Sequence, residues 1–272
     1  MYGKKSAPSA KALSAEIQKA DKDLIVFNGT TKSKYLTKHF FNYVLNVGNS
    51  IKYNFPKETI VINNPKNILQ SANKRLARMR FKARGIPAPM LWLSVKEIPI
   101  PEYPVIGRTT YHMKAQGFWF CNTPQEATRA MKQGATHFLK FIKNTREFRA
   151  HVFSTVLNPK SSNDYSIGKL SEKRGGVNIT GTTIKNHDNG YLFISPMKTD
   201  LMVLDQVRYL AKKTMAKFKL HYGGVDIIYS LDNKKAMVLE INTTPCLTDQ
   251  NSTTIEVYAN QILKLLGRNI YG

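Results

Sequence analysis

Alternating blocks of apolar and polar positions define the elements that the first third of this sequence predicts. Short apolar runs at residues 24–27 and 59–62, each closed by an Asn-containing turn, are typical of buried strands. Apolar side chains at helical spacing follow both runs, over residues 33–47 and 67–84, and Gly85 ends the second stretch. Strand, helix, strand, helix is the order of a small parallel α/β unit.

Five prolines between residues 87 and 104 interrupt the pattern. Because proline fits neither a helix interior nor a central strand, this segment predicts a linker into a new lobe. Beyond it we expect a helix that starts at Thr123, with Pro124 in its first turn, and ends at Gly134. The same stretch predicts four strands, near residues 105–108, 117–121, 137–142 and 147–156.

The C-terminal third has the clearest pattern. A broad apolar face predicts a helix over residues 200–220, which we expect the Gly223-Gly224 pair to end. Two apolar runs, at residues 225–231 and 236–242, flank a polar turn and predict an antiparallel hairpin. The last predicted helix spans residues 253–266.

Composition excludes several classes of protein. No apolar run approaches the roughly 20 residues of a membrane-spanning helix. Two cysteines, Cys121 and Cys246, cannot form a disulfide framework and favour a reducing cytoplasm, and no histidine has the spacing of a zinc finger. The net charge of +23 attracts polyanions, and the Lys-rich residues 1–22 predict a mobile basic tail with a short helix near residues 12–19.

The predicted hairpin carries the strongest chemical signal. Asp226 lies on its first strand, and Glu240 and Asn242 lie two residues apart on its second, so these two share a face. Two carboxylates and an amide oxygen on one sheet face suit Mg²⁺ bound to a polyphosphate. An exposed hairpin with acidic residues on its solvated face is the alternative.

The segments Gly224-Val225-Asp226 and Val238 through Pro245 resemble the metal-binding end of ATP-grasp carboxylate–amine ligases, and the resemblance covers most of residues 65–266. The strand of residues 147–153 and the helix with Tyr258-Ala259 are most similar to small phage-type amide ligases. The resemblance implies an α/β ATP-grasp fold with two lobes that clasp the nucleotide. The implied division is a tail (1–22), a small parallel α/β pre-domain (23–88) and an ATP-grasp domain (89–272), with lobes at about 89–140 and 141–272.

The resemblance also implies roles for individual residues. Lys74 and Arg108 match the cations that bind the nucleotide phosphates, and residues 112–117 match the loop over those phosphates. Lys140 through Ile142 match the hinge that binds adenine, and Glu147 matches the carboxylate that binds ribose. The implied Mg²⁺ ligands are those of the hairpin: Asp226, Glu240 and Asn242.

One position departs from the resemblance. Gly224 stands where peptide-forming relatives place the arginine that binds the acyl phosphate. If the chain is a working ligase, another cation must take that role. The candidates are Arg149, Lys169, Lys173 and Arg174.

The implied activity is ATP- and Mg²⁺-dependent joining of a carboxylate to an amine through an acyl phosphate, with a peptide or protein as a possible substrate. Residues 243–254 are expected to line the acceptor side. A phosphoryl transferase that uses the same cleft, and a non-catalytic basic scaffold that binds nucleic acid or an acidic assembly, remain alternatives. The expected location is the cytoplasm, that of the host if a phage encodes the chain.

Overall fold

The structure of this chain is a computed structural model. It describes residues 8–22, 42–51, 55–110, 117–175, 191–196, 198–244 and 253–268. Four expectations fall outside these residues in whole or in large part: the strand at 24–27, the helix at 33–47 up to residue 41, the phosphate loop at 112–117 and the acceptor loop at 243–254.

A two-stranded parallel sheet and two helices form the first α/β unit. Strand β1 (Tyr43–Leu45) pairs with β2 (Ile60–Ile62). The helix expected to reach residue 47 is wrong over β1, because Val44 and Leu45 are buried in a ladder with β2. Helices α2 (Pro65–Ala72) and α3 (Lys74–Ala83) replace the single helix expected at 67–84. Asn73 separates them, because its extended backbone ends α2 while its side chain accepts a hydrogen bond from the first turn of α3.

A four-stranded antiparallel sheet has the order β3-β6-β4-β5, and its first strand lies within the proline-rich segment that the sequence predicted to be a linker. Its strands are β3 (Leu91–Trp92), β4 (Val105–Arg108), β5 (Phe118–Cys121) and β6 (His137–Lys140). Helix α4 (Pro124–Lys132) covers one face and begins as predicted, since the Thr123 hydroxyl accepts from the Glu126 backbone N–H. Val105, Cys121 and Phe138 form the core between the helix and the sheet.

The larger sheet has five antiparallel strands in the order β11-β10-β7-β8-β9. Their bounds are β7 (Thr145–Ser154), β8 (Tyr165–Gly175), β9 (Tyr191–Ile194), β10 (Tyr222–Ser230) and β11 (Lys235–Asn242). Helix α5 (Leu201–Phe218) packs on one face over the largest core cluster. The predicted hairpin is confirmed as β10–β11, whereas β8 and β9 are strands that the sequence pattern did not predict.

The Gly223-Gly224 pair does not end helix α5. Lys219 ends it in the left-handed conformation (φ 52°), and both glycines lie inside β10. Gly223 belongs there because a Cβ atom at this position would lie 3.1 Å from the backbone oxygen of Asn242 on the neighbouring strand.

The N-terminal segment differs from the mobile tail that its composition predicts. Pro8–Ala20 is helix α1, and it packs against the last helix, α6 (Thr254–Leu265). Leu13 and Ile17 are buried in a core shared with Tyr258 and Ile262, so apolar side chains on one face hold this helix in place. No helix within the described ranges is long and apolar enough to cross a membrane.

Candidate functional site

The open face of the five-stranded sheet, opposite α5, collects most of the predicted site residues. Residues that are directly paired across antiparallel strands share a face, and side chains alternate along each strand. Phe148 and Ala150 of β7 face α5, so their neighbours on β7 face the other way. The register brings to this open face Glu147, Arg149 and His151 of β7, Lys169, Ser171 and Lys173 of β8, and Gly224 and Asp226 of β10.

A bulge in β11 brings Glu240 to the same face. Ile227 pairs with Val238, but Asp226 pairs with Glu240, so Leu239 is an extra residue in the ladder. In a regular strand Leu239 would oppose Asp226, and Glu240 would turn toward the core under α5 with Val225. The bulge therefore places the two carboxylates opposite each other, and nothing in the apolar pattern of the sequence predicts it.

Asp226, Glu240 and Asn242 form one hydrogen-bonded group. The Asn242 amide nitrogen donates to Asp226 Oδ2 and to Glu240 Oε1, each at 3.1 Å. Asp226 is 4% exposed, and the Glu240 side chain is 27% exposed. The amide thus bridges two carboxylates at hydrogen-bond distance, which confirms that the three groups predicted from the hairpin lie together.

Each carboxylate also pairs with a cation from another element. Arg149 of β7 binds Asp226 with two bonds, Nε to Oδ1 at 2.6 Å and Nη2 to Oδ2 at 2.7 Å. Lys74, the first residue of α3, donates from Nζ to Glu240 Oε2 at 2.9 Å. Because α3 begins directly after the break at Asn73, this break determines the position of Lys74 relative to Glu240.

Two arginines add positive charge beside Glu240. Arg78 of α3 donates to the Val238 carbonyl at 3.0 Å, and burial lowers its pKa to about 10 although Glu240 opposes the shift. Arg108, at the end of β4, has a pKa lowered by burial and partly restored by Glu240. The resemblance predicted a role for Arg108, whereas the sequence analysis assigned no role to Arg78.

The field of these cations keeps Glu240 ionised. Burial alone would raise the pKa of Glu240, but Lys74 and Arg149 lower it far below its ordinary value. Burial lowers the pKa of Arg149, and the attraction of Asp226 and Glu240 outweighs it, so that its pKa lies above the usual value. At neutral pH the open face therefore carries ionised carboxylates and protonated cations, and the cations outnumber the carboxylates.

Glu147 lies farther along β7 and pairs with Lys173 across the β7–β8 ladder. Phe193 of β9 covers both cations of this region: its ring centroid is 4.5 Å from Arg149 Cζ and 5.3 Å from Lys173 Nζ. Phe193 is 41% exposed, so it presents a partly free aromatic ring over the site. Sequence reasoning missed Phe193 because β9 carries no alternating pattern.

Two predicted residues, Arg174 and Lys140, lie elsewhere, and a third, Lys169, has a partner outside the site. Arg174 is on the opposite face of β8, where it bonds to Glu172 at 2.8 Å. Lys140 lies opposite Val105 and pairs with Glu102 at 2.6 Å, on the α4 face of the smaller sheet and away from the Arg108 face. Lys169 shares the open face but donates to the Thr254 hydroxyl at 2.7 Å, at the start of α6.

His151 lies on the open face, where it pairs with Gly224 of β10 and contacts Tyr258 of α6. Its Nδ1 lies 3.0 Å from the Tyr258 hydroxyl. Burial, reinforced by Arg149 and Lys169, lowers the pKa of His151 to about 3, so the imidazole is neutral at physiological pH.

The donor set of the hairpin fits a hard divalent cation. Mg²⁺ prefers oxygen ligands and keeps water and phosphate oxygens in its shell, so two carboxylates and one amide oxygen suffice. The Asn242 amide bridges both carboxylates and, rotated end for end, would aim its oxygen between them. Within the described residues no group of three or more His, Cys, Asp and Glu side chains could hold a metal. The fit therefore rests on a mixed carboxylate–amide set.

Comparison with solved structures decides the fold. D-alanine–D-alanine ligase from Bacillus anthracis superposes with a TM-score of 0.66 over 98% of this chain and 94% of that one, at 13% sequence identity. The chain has the ATP-grasp fold. The biotin carboxylase β,γ-ATP complex from Campylobacter jejuni matches over 97% of this chain and 70% of that one, at 14% identity and a TM-score of 0.62.

Other ATP-grasp matches are partial. N5-carboxyaminoimidazole ribonucleotide synthetase from Thermotoga maritima covers 78% of this chain at 15% identity and a TM-score of 0.56, and the chain spans 53% of that enzyme's length. No protein-family model and no curated protein sequence matches the chain. At these identities the comparisons establish the ATP-grasp fold, and the activity has to be argued from the site.

Proposed function

We propose that this chain is an ATP- and Mg²⁺-dependent ligase that joins a carboxylate to an amine through an acyl phosphate. The observation that carries the proposal is the open face of the larger sheet, where Asp226, Glu240 and Asn242 meet beneath Lys74, Arg108 and Arg149. A fold shared with a nucleotide complex of biotin carboxylase supports ATP as the ligand of that face. We take the four- and five-stranded sheets as the two lobes of the domain.

The side chains divide into distinct roles in this proposal. Asp226, Glu240 and Asn242 would hold Mg²⁺, which supplies charge neutralisation at the phosphates. Lys74 and Arg108 bind phosphate oxygens, and Glu147 accepts hydrogen bonds from the ribose hydroxyls. Since Lys74 and Arg149 now pair with carboxylates, binding of the nucleotide exchanges those partners for phosphate oxygens.

The proposed reaction has two steps and requires no covalent intermediate with the enzyme. A carboxylate oxygen of the substrate attacks the γ-phosphorus, the bond to the β,γ-bridging oxygen breaks, and ADP leaves. The amine nitrogen then attacks the acyl carbon, the bond to the phosphate oxygen breaks, and the amine loses a proton. We choose Arg149 as the residue that stabilises the acyl phosphate. It lies beside Asp226 on the open face, and Gly224 of β10 pairs with His151, which is two residues after Arg149 on β7.

The finer part of the proposal concerns the subgroup and the acceptor. We propose that the chain works like the small phage-type amide ligases, with a peptide or protein end as one substrate, because the excess of cations favours acidic partners. The two sources of the amine, a free amino acid and a peptide, separate in an assay that offers each in turn.

Hydroxylamine trapping tests the proposal. With Mg·ATP and pooled carboxylates, the enzyme should form hydroxamates and ADP, and with an amine it should release ADP and phosphate only when both substrates are present. Asp226→Asn and Glu240→Gln should abolish both signals. Asp232→Asn, in the exposed turn of the same hairpin, is the matched control and should retain them.

Two outcomes would contradict the ligase. A stable phosphorylated product that forms without amine and does not react with hydroxylamine would indicate a phosphoryl transferase that uses the same cleft, because the acyl phosphate of a ligase reacts with hydroxylamine. Nucleic-acid affinity that falls steeply with salt and is indifferent to Asp226→Asn, with no ATP turnover, would indicate the scaffold.

A further inference from the structure

Helix α3 and the turn after it contact β11 next to its bulge. Among the described residues β11 is an edge strand of the five-stranded sheet, so one of its sides pairs with no other strand. The Val238 N–H donates to the Pro87 carbonyl at 2.8 Å, and Arg78 Nη1 donates to the Val238 carbonyl at 3.0 Å. Both backbone polar groups of Val238 therefore have partners outside the sheet.

These bonds lie directly beside the extra residue of β11. Leu239 is that residue, and its two neighbours, Val238 and Glu240, pair with consecutive residues of β10. Because a peptide unit is planar, the direction of the Val238 carbonyl also sets the direction of the Leu239 N–H. The bond from Arg78 thus fixes the peptide unit with which the bulge begins, and the bulge determines the face on which the following side chain lies.

A second bond from the same helix fixes the other side of the bulge. Lys74 and Arg78 are four residues apart on α3, so their side chains leave the same face of the helix. Lys74 donates to the Glu240 carboxylate at 2.9 Å, while Arg78 donates to the backbone two residues earlier. Ala77 and Phe81 are buried in the main core and hold the helix in place. One anchored helix therefore binds β11 on both sides of the bulge.

The charge of Arg78 does not by itself explain the presence of an arginine at this position. Burial disfavours the charged guanidinium and lowers the pKa of Arg78 to about 10. Its charge also interacts with Glu240, and a cation beside a carboxylate repels the divalent ion that the carboxylate would bind. The bond to the Val238 carbonyl is what offsets both costs, since hydrogen bonds from charged donors are strong.

From this geometry we infer that Arg78 is a positioning residue, which maintains the bulge at Leu239 and thereby holds Glu240 opposite Asp226. Arg78 acts through Glu240 and touches neither the metal nor the nucleotide in this role. The consequence for metal binding rests on the proposed function, whereas the effect of Arg78 on the bulge does not.

Mn²⁺ binding in the presence of β,γ-methylene-ATP, followed by the electron paramagnetic resonance signal of the free ion, tests the inference. Arg78→Met should weaken Mn²⁺ binding about tenfold, a loss typical of residues that orient a metal ligand. Removal of a repelling charge alone would strengthen Mn²⁺ binding instead. Arg75→Met removes an exposed cation of the same helix and should change the affinity less than about twofold, because solvent and salt screen exposed charges.

Deletion of Leu239 separates positioning from any direct role of Arg78. Without the extra residue the ladder is regular and Glu240 still opposes Asp226, so there is no bulge for Arg78 to maintain. In this background Arg78→Met should change the Mn²⁺ affinity less than about twofold, since the two changes act on one feature. Similar losses of about tenfold in both backgrounds, or tighter Mn²⁺ binding by Arg78→Met, would overturn the positioning role.

Hydrogen exchange measured by mass spectrometry tests the bulge without any ligand. Arg78→Met should speed the exchange of the backbone amides at residues 238–240 about tenfold, while Arg75→Met leaves it unchanged and both variants keep their circular dichroism spectra. If this difference is present but the unmodified chain binds no Mn²⁺ with the nucleotide, the proposed function fails and the role of Arg78 in the bulge stands. Equal exchange in the two variants would overturn that role, whatever the metal measurements show.

Discussion

Breaking the Arg149–Asp226 ion pair is the sharpest test of the charged face. In Arg149→Met the Asp226 carboxylate, whose side chain is 6% exposed, keeps only the Asn242 amide as a partner. Two unit charges near 4 Å attract by about 4 kcal/mol at an effective dielectric constant of about 20. Loss of one partner of a buried pair costs about 3–5 kcal/mol, because the other charge stays buried. We expect a loss of this size in the free energy of unfolding.

Urea unfolding at neutral pH, followed by circular dichroism, measures the loss. Arg149→Met with Asp226→Asn removes both charges, so the double variant should be more stable than the two single losses predict, by about 2 kcal/mol. Arg208→Met is the matched control, since Arg208 and Asp205 form an exposed pair at 3.2 Å that should contribute less than about 1 kcal/mol. If Arg149→Met costs no more than Arg208→Met, the buried pair does not exist in solution.

Three further predictions concern packing and pH. Gly223→Ala should lower the free energy of unfolding by about 1–3 kcal/mol, because its Cβ atom would lie 3.1 Å from the Asn242 backbone oxygen. Gly224→Ala, whose Cβ atom would lie 3.7 Å from its nearest neighbour, should change the free energy of unfolding by less than about 1 kcal/mol, and equal effects of the two variants in urea unfolding would contradict the register of β10. The pKa of His151 is about 3 in the folded chain and about 6.5 in the unfolded chain, so between these pH values only the unfolded chain binds the extra proton. The free energy of unfolding should therefore decrease as the pH is lowered below 6.5, by up to about 1.4 kcal/mol per pH unit. Urea unfolding at pH 6.5 and 4.5 should show a smaller decrease for His151→Gln, and an unchanged decrease would refute the buried neutral imidazole. Leu13→Ala should cost about 2–5 kcal/mol, and a loss below about 1 kcal/mol would show that α1 is not docked.

The hairpin was predictable because its information is local. Two apolar strands, a polar turn and the short spacing between Glu240 and Asn242 lie within one stretch of sequence, and the structure confirms all three features. The placement of Asp226 and Glu240 opposite each other requires one more feature, the bulge at Leu239, which depends on pairing with β10. Pairing across strands is a tertiary property, so a pattern along one strand does not contain it.

The errors elsewhere have the same origin. Pro8–Ala20 has only two large aliphatic side chains, so the sequence predicted a mobile tail with a short helix, but Leu13 and Ile17 pack on a helix more than 230 positions away in sequence. Gly223-Gly224 looked like a helix end, because the close approach of Asn242 that favours glycine there is visible only in the sheet. Alternation along β8 places Lys173 and Arg174 on opposite faces, a consequence that requires knowing β8 is a strand.

The extra residue in β11 also determines which length changes this hairpin can absorb. Removal of Leu239 would restore a regular ladder from Ile227 and Val238 onward, and Glu240 would still oppose Asp226. The gap between the two acidic positions can therefore shrink by one residue while both still reach a common ligand. Relatives that differ by a single insertion at this point remain compatible with the same chemistry, and a rigid spacing rule between the two acids would overlook them.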